Sequence, residues 1–167
     1  MAGSEETQAL TRRVLEACRA RGLMVATAES CTGGMVAAAL TDIPGSSDVV
    51  ERGFVTYTND AKAECLGVPL PLIEAHGAVS EAVARAMASG ALAQSRAGIA
   101  VAVTGIAGPG GGSAEKPEGL VHFACARLGA GTQHQRVAFG PLGRDAVRQA
   151  SVLQALRMVL AAAEGAA

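Results

Sequence analysis

An α/β fold, with helices on both faces of a mixed sheet of roughly five strands, is predicted by three features of the 167-residue sequence. Apolar runs of strand length, Leu23-Met-Val-Ala26 and Gly98 to Val103, each lead into a polar, glycine-bearing loop. Segments with apolar residues at helical spacing alternate with these runs. Two β-rich segments near the C-terminus, Gly119 to Leu128 and Gln133 to Phe139, flank the turn Gly129-Ala-Gly131 as a hairpin would. Alternation of this kind yields a three-layer α/β/α sandwich in a single domain over residues 1–167.

Taken in order, residues 5–21 place Leu10, Val14 and Cys18 on one face, with Gly22 as the natural stop. The first strand follows, then the polar turn Thr27 to Gly34, then a small-residue helix from Met35 to Leu40. Asp42 to Ser47 is a loop, because Pro44 and Gly45 break the pattern. Val49 to Thr58 is rich in residues that favour strand. Asn59-Asp60 is expected to cap a short helix that carries Lys62 and stops at Gly67. Another short helix begins at Pro69-Leu-Pro71 and ends at His76-Gly77. Ser80 is a good N-cap for a longer helix to about Arg96, with Val83, Met87 and Ala91 facing inward. The chain closes with a helix from Arg144 to about Ala163, whose Val152, Leu156, Val159 and Leu160 face the core.

Composition removes several function classes. Half of the residues are hydrophobic, which excludes a disordered chain. A net charge of −1 leaves no footprint for nucleic acid, and Phe54, Tyr57, Phe123 and Phe139 are the only aromatic side chains for stacking bases. Cys18, Cys31, Cys65 and Cys125 lack C-x-x-C spacing, and the polar start Gly3 to Thr7 does not read as a signal peptide. A reduced, cytoplasmic setting is therefore expected. His76, His122 and His134 are scattered, so neither a metal nor another cofactor is expected. No apolar run is long enough for a bilayer, so no membrane role is predicted. Helix faces rich in Ala and Leu favour a homo-oligomer.

Ligands of open α/β sheets collect at loops beyond the strand ends. Three such loops, 27–34, 57–62 and 104–113, follow apolar strands. If those strands lie side by side in one sense, Ser30, Tyr57, Lys62 and Thr104 converge. That is the set needed for a serine hydrolase without histidine. A hydroxyl nucleophile needs a base, and lysine serves once its pKa is lowered. Tyr57 and Thr104 could relay the proton or fix the substrate, and N–H groups of Cys31, Thr32 and Gly33 could hold an oxyanion. Each residue has a plainer reading: a helix cap, a solvated lysine, a half-buried tyrosine. Gly105 to Ser113 resembles a phosphate cradle without forming a P-loop or a dinucleotide fingerprint. Ser113-Ala-Glu-Lys116 matches S-x-x-K formally, but flanking glycines and Pro117 leave it no helix. Arg144 and Arg148, one turn apart at the start of the last helix, suit a phosphate-bearing ligand or a solvated basic stripe.

Together these segments resemble the CinA C-terminal domain family. The similarity lies in Ala28-Glu-Ser-Cys-Thr-Gly-Gly34, Arg52 to Lys62, Gly77-Ala-Val-Ser80 and Val103 to Gly110. It runs in order from about residue 8 to 160. The resemblance implies a metal-independent amidohydrolase that converts nicotinamide mononucleotide, its small-molecule partner, to nicotinic acid mononucleotide and ammonia. It further implies Ser30 as nucleophile and Lys62 as base. Glu29, Tyr57 and Thr104 match polar pocket residues, with Cys31, Thr32, Gly33, Gly34, Gly105 and Gly108 in the neighbouring loops. Ser46 and Ser47 match a Gly-Ser-Ser loop of the family, and Ser47 is expected at the substrate. Arg144 and Arg148 match basic positions for the ligand phosphate. The competing expectations are a non-catalytic nucleotide-binding or partner module and an amidohydrolase acting on another small amide.

Overall fold

A computed structural model describes residues 3–165. The elements in order are α1 (Glu5–Ala20), β1 (Val25–Glu29), α2 (Met35–Thr41), a short 3₁₀ turn (Ser46–Asp48), β2 (Val50–Val55), α3 (Asn59–Leu66), α4 (Leu70–His76), α5 (Glu81–Ala93), β3 (Ile99–Gly105), β4 (Leu120–Arg127), β5 (Thr132–Ala138) and α6 (Arg144–Ala163). The strands form one mixed sheet in the order β2-β1-β3-β4-β5. β1 runs parallel to both β2 and β3, whereas β3, β4 and β5 are successively antiparallel. The α/β sandwich expected from the sequence is present, hairpin included.

Strand alternation divides the core in two. Val25, Ile99, Val101, Val103, Val121 and Phe123 face α6 and α1, meeting Val152, Leu156, Val159 and Val14. Truncating Phe123 there would cost about 3–5 kcal/mol. The opposite face is an alanine floor of Ala26, Ala28, Ala100, Ala102, Ala124 and Ala126, on which Val83, Met87 and Ala91 of α5 lie. Small side chains let α5 sit close to the sheet. α3 then packs on α5 rather than on the strands. Gly90 makes that approach possible, because a Cβ there would lie 1.9 Å from the Leu66 carbonyl oxygen.

Several boundaries differ from the sequence expectation. β1 continues through Thr27, Ala28 and Glu29, since ladders on both sides hold those polar residues in extended backbone. The turn therefore starts at Ser30. β2 stops at Val55, and Thr58, not Asn59 or Asp60, caps α3 by accepting from the Ala61 N–H. α5 ends at Ala93, before Arg96.

Candidate active site

The parallel trio β2, β1 and β3 brings three loops to one end of the sheet. At that end lies a pocket of about 340 Å³ whose lining includes Ser30, Cys31, Tyr57, Lys62, Thr104, Gly105, Gly108 and Arg144. The four expected catalytic side chains thus meet, as the adjacency of their strands requires.

Lys62 is the unusual member. It sits in the first turns of α3, is only 1 % exposed, and reaches both the Ser30 hydroxyl (Nζ to Oγ, 3.0 Å) and the Thr56 carbonyl (2.8 Å). Buried lysines are normally paired with a carboxylate. None lies within ion-pair distance here; all of the described salt bridges involve other residues. Burial consequently pulls the Lys62 ammonium below its ordinary 10.5. A Cys31 thiolate would oppose this, but burial pushes the Cys31 thiol up to about 11, so it carries no charge near neutrality. A neutral Lys62 has one lone pair to accept the Ser30 proton while an N–H donates to Thr56.

Ser30 stands just past β1, its N–H donating to the Val103 carbonyl at 2.9 Å. Its own carbonyl accepts from the Gly33 N–H at 3.0 Å. Those two bonds close a tight turn that leaves the N–H of Cys31, a pocket-lining residue, as the candidate oxyanion donor. Gly34, at φ 103°, redirects the chain into α2, a backbone region that side-chain-bearing residues avoid.

Tyr57 stands 58 % exposed at the pocket rim, its hydroxyl accepting from Arg144 Nη2 at 2.9 Å. Arg144 Nη1 also donates to the Gly108 carbonyl at 2.9 Å. Thr104 is buried and donates to the Ala78 carbonyl at 2.8 Å, tying the wall of the pocket to the segment before α5.

Other expected binding residues lie elsewhere. Glu29 points to the opposite face of the sheet from Lys62, where its carboxylate accepts from the Val36 and Ala37 N–H groups at 2.8 and 3.1 Å and caps α2. Alternation along β1 dictates this. Thr32 is fully buried outside the pocket lining, and Gly33 and Gly34 serve the turn's backbone rather than a ligand. Ser46 and Ser47 precede β2 whereas Tyr57 follows it, so they lie about 20 Å away, at the other end of a six-residue strand. Arg148 does not line the pocket; its guanidinium is spent on the carbonyls of Cys31 (3.1 Å) and Thr32 (3.3 Å).

Sequence reasoning missed the Thr56 carbonyl and the pocket walls formed by Ala78, Val79 and Ile106. The motif Gly77 to Ser80 marked the second of these without giving it a role. Among the described residues, no three His, Cys, Asp or Glu side chains gather as a metal-binding group. No helix among them is long and apolar enough to cross a membrane, and all four cysteines are free.

Comparison with known proteins bears on the family and the fold. The model of the CinA C-terminal domain matches residues 7–163. The nicotinamide-nucleotide amidohydrolase PncC of Escherichia coli K12 is 52% identical over 153 residues, which is 91% of this chain and 92% of that protein. A putative competence-damage inducible protein of Symbiobacterium thermophilum is 51% identical over 94% of this chain, which spans only 38% of that longer relative. The crystal structure of competence/damage inducible protein CihA from Agrobacterium tumefaciens superposes with a TM-score of 0.95 at 53% identity, covering 96% of this chain and 98% of that one.

Proposed function

We propose that this chain, which belongs to the CinA C-terminal domain family, hydrolyses the carboxamide of nicotinamide mononucleotide to nicotinic acid mononucleotide and ammonia. The observation that carries this reading is the buried Lys62–Ser30 contact of 3.0 Å with no carboxylate beside it. The name of the E. coli relative supplies the substrate.

Neutral Lys62 accepts the Ser30 proton as Oγ attacks the carboxamide carbon. The tetrahedral oxyanion meets the Cys31 N–H. Protonated Lys62 then gives its proton to the departing nitrogen, and ammonia leaves. Water attacks the Ser30 ester, again losing a proton to Lys62, which returns it to Ser30 Oγ as the carboxylate departs. Thr56 holds the amine in line throughout, because its carbonyl accepts from Nζ. Arg144 is the pocket cation left to meet the ligand phosphate. It lies in the first turn of the 20-residue α6, where the helix terminus adds to the attraction. The activity belongs to pyridine-nucleotide salvage in a reducing, cytoplasmic compartment.

Ammonia release from nicotinamide mononucleotide, measured with a chelator present and with Ser30→Ala beside wild type, tests the reading. Release by wild type and a loss of at least about 10³-fold in the variant are expected. No release by folded wild type would leave the pocket a recognition site for nucleotides.

A further inference from the structure

Arg148 has no place in the pocket, yet its guanidinium holds the turn that follows the nucleophile. It stands one turn into α6, half-buried, and its guanidinium spans two successive carbonyls: Nε donates to Cys31 O and Nη2 to Thr32 O. Planar guanidinium geometry suits such a two-point hold. Anchoring both carbonyls to α6 fixes the turn whose first N–H, that of Cys31, belongs to a residue lining the pocket. Gly33 completes the fit: it stands at φ 57°, and a Cβ there would lie 3.2 Å from Arg148 Nη2. The turn thus lacks a side chain where the guanidinium approaches.

We infer that Arg148 is a positioning residue for the oxyanion site, acting by anchoring the turn that carries the Cys31 N–H and not through the ligand phosphate. This rests on the amidase reading above. It makes a prediction opposite to that of a phosphate ligand. A residue that shapes the oxyanion turn affects the transition state, so its loss lowers kcat and leaves KM nearly unchanged. A phosphate ligand would raise KM, and only for a substrate that bears the phosphate.

The experiment compares wild type, Arg148→Lys and Arg148→Ala on nicotinamide mononucleotide and on nicotinamide riboside, which lacks the phosphate. Expected for Arg148→Ala is a loss in kcat of about 10- to 100-fold on both substrates, somewhat less than deletion of an oxyanion donor, with KM within about threefold. Arg148→Lys, able to reach one carbonyl, should recover part of the rate. The amide resonances of Thr32 and Gly33 should shift in Arg148→Ala, and those of α5 should not. A KM increase confined to the phosphorylated substrate, or wild-type kcat in Arg148→Ala, would overturn the assignment. If wild type releases no ammonia from either compound, the amidase reading falls. The resonances then decide the positioning role: unmoved Thr32 and Gly33 signals refute it. Should Arg148→Ala not fold, Arg148→Gln, which keeps an amide donor, carries the same comparison.

Discussion

Replacing Lys62 with methionine separates catalysis from stability. Methionine keeps nearly the same length and volume but removes Nζ. Two hydrogen bonds disappear, to Ser30 Oγ and to the Thr56 carbonyl. Orphaning that buried carbonyl costs about 1–3 kcal/mol. Against this stands the removal of a buried amine, whose charged form carries a desolvation penalty of several kcal/mol. Stability at pH 7 should therefore hold or rise by about 1–2 kcal/mol. Activity should fall by at least about 10³-fold, since nucleophile and base act as a unit. The pH dependence has a definite sign. Burial lowers the folded-state pKa of Lys62 below 10.5. Wild-type kcat/KM should thus rise with pH along a limb that lies below 10.5. Lys62 should also contribute stability that rises with pH from its folded-state pKa up to 10.5, because the unfolded lysine keeps its proton over that window. Above about 9 the buried thiols of Cys18, Cys31 and Cys125 act in the opposite sense, so the difference between wild type and Lys62→Met isolates the lysine. Lys62→Met should lose both dependences. Ammonia release from pH 6 to 10 and urea unfolding over the same range provide the data. A tenth or more of wild-type activity in Lys62→Met, or a flat wild-type profile, would refute the base assignment.

Three further outcomes follow from the same structure. Gly90→Ala should destabilise the protein by about 2–3 kcal/mol despite better helix propensity, because the new Cβ meets the Leu66 carbonyl. The displaced α3 carries Lys62, so kcat should drop in the folded fraction; urea unfolding and steady-state kinetics read the two effects. Burial holds the His122 imidazole down to about 4 from 6.5. The unfolded chain protonates first, so stability is lost as pH falls from about 6.5 toward 4. Thermal melts of His122→Gln should show a shallower decline over that window than wild type. Tyr57→Phe removes one exposed acceptor of Arg144, for which a rise in KM of a few-fold with an unchanged melting temperature is expected.

Much of the fold was legible because hydrophobic periodicity, glycine stops and one hairpin turn all point the same way. The positions that failed did so for tertiary reasons. Thr27, Ala28 and Glu29 look like a polar turn, but ladders from β2 and β3 override local preference and keep them in strand. Ser30, Lys62, Tyr57 and Thr104 were readable because each lies at or soon after the C-terminal end of one of three strands, with Thr104 the penultimate residue of β3. Only the strands' adjacency was needed to unite them. The resemblance points Ser47 to the substrate, and spacing and resemblance together point Arg148 to the phosphate, yet neither residue lines the pocket. Proximity in a motif does not say which end of a strand a residue occupies, or whether a guanidinium serves a ligand or a carbonyl.

Glu29, expected in the pocket, caps α2 instead, and that placement matters to Lys62. It is the only carboxylate buried among the described residues, and it adjoins Ser30 in sequence. Were it free to reach Lys62, an ion pair would hold that lysine protonated and useless as a base. Strand alternation sends Glu29 to the α2 face, and the Val36 and Ala37 N–H groups bind both of its oxygens there. Burial therefore remains the dominant influence on Lys62. The α2 cap thus has a chemical consequence besides its structural one. Glu29→Gln should cost roughly 2 kcal/mol, since an amide can accept only one of the two bonds. It should leave the acid limb of kcat/KM where wild type has it. A limb displaced by a full pH unit would mean that Glu29 acts on Lys62 directly and that the two faces of the sheet are not separate.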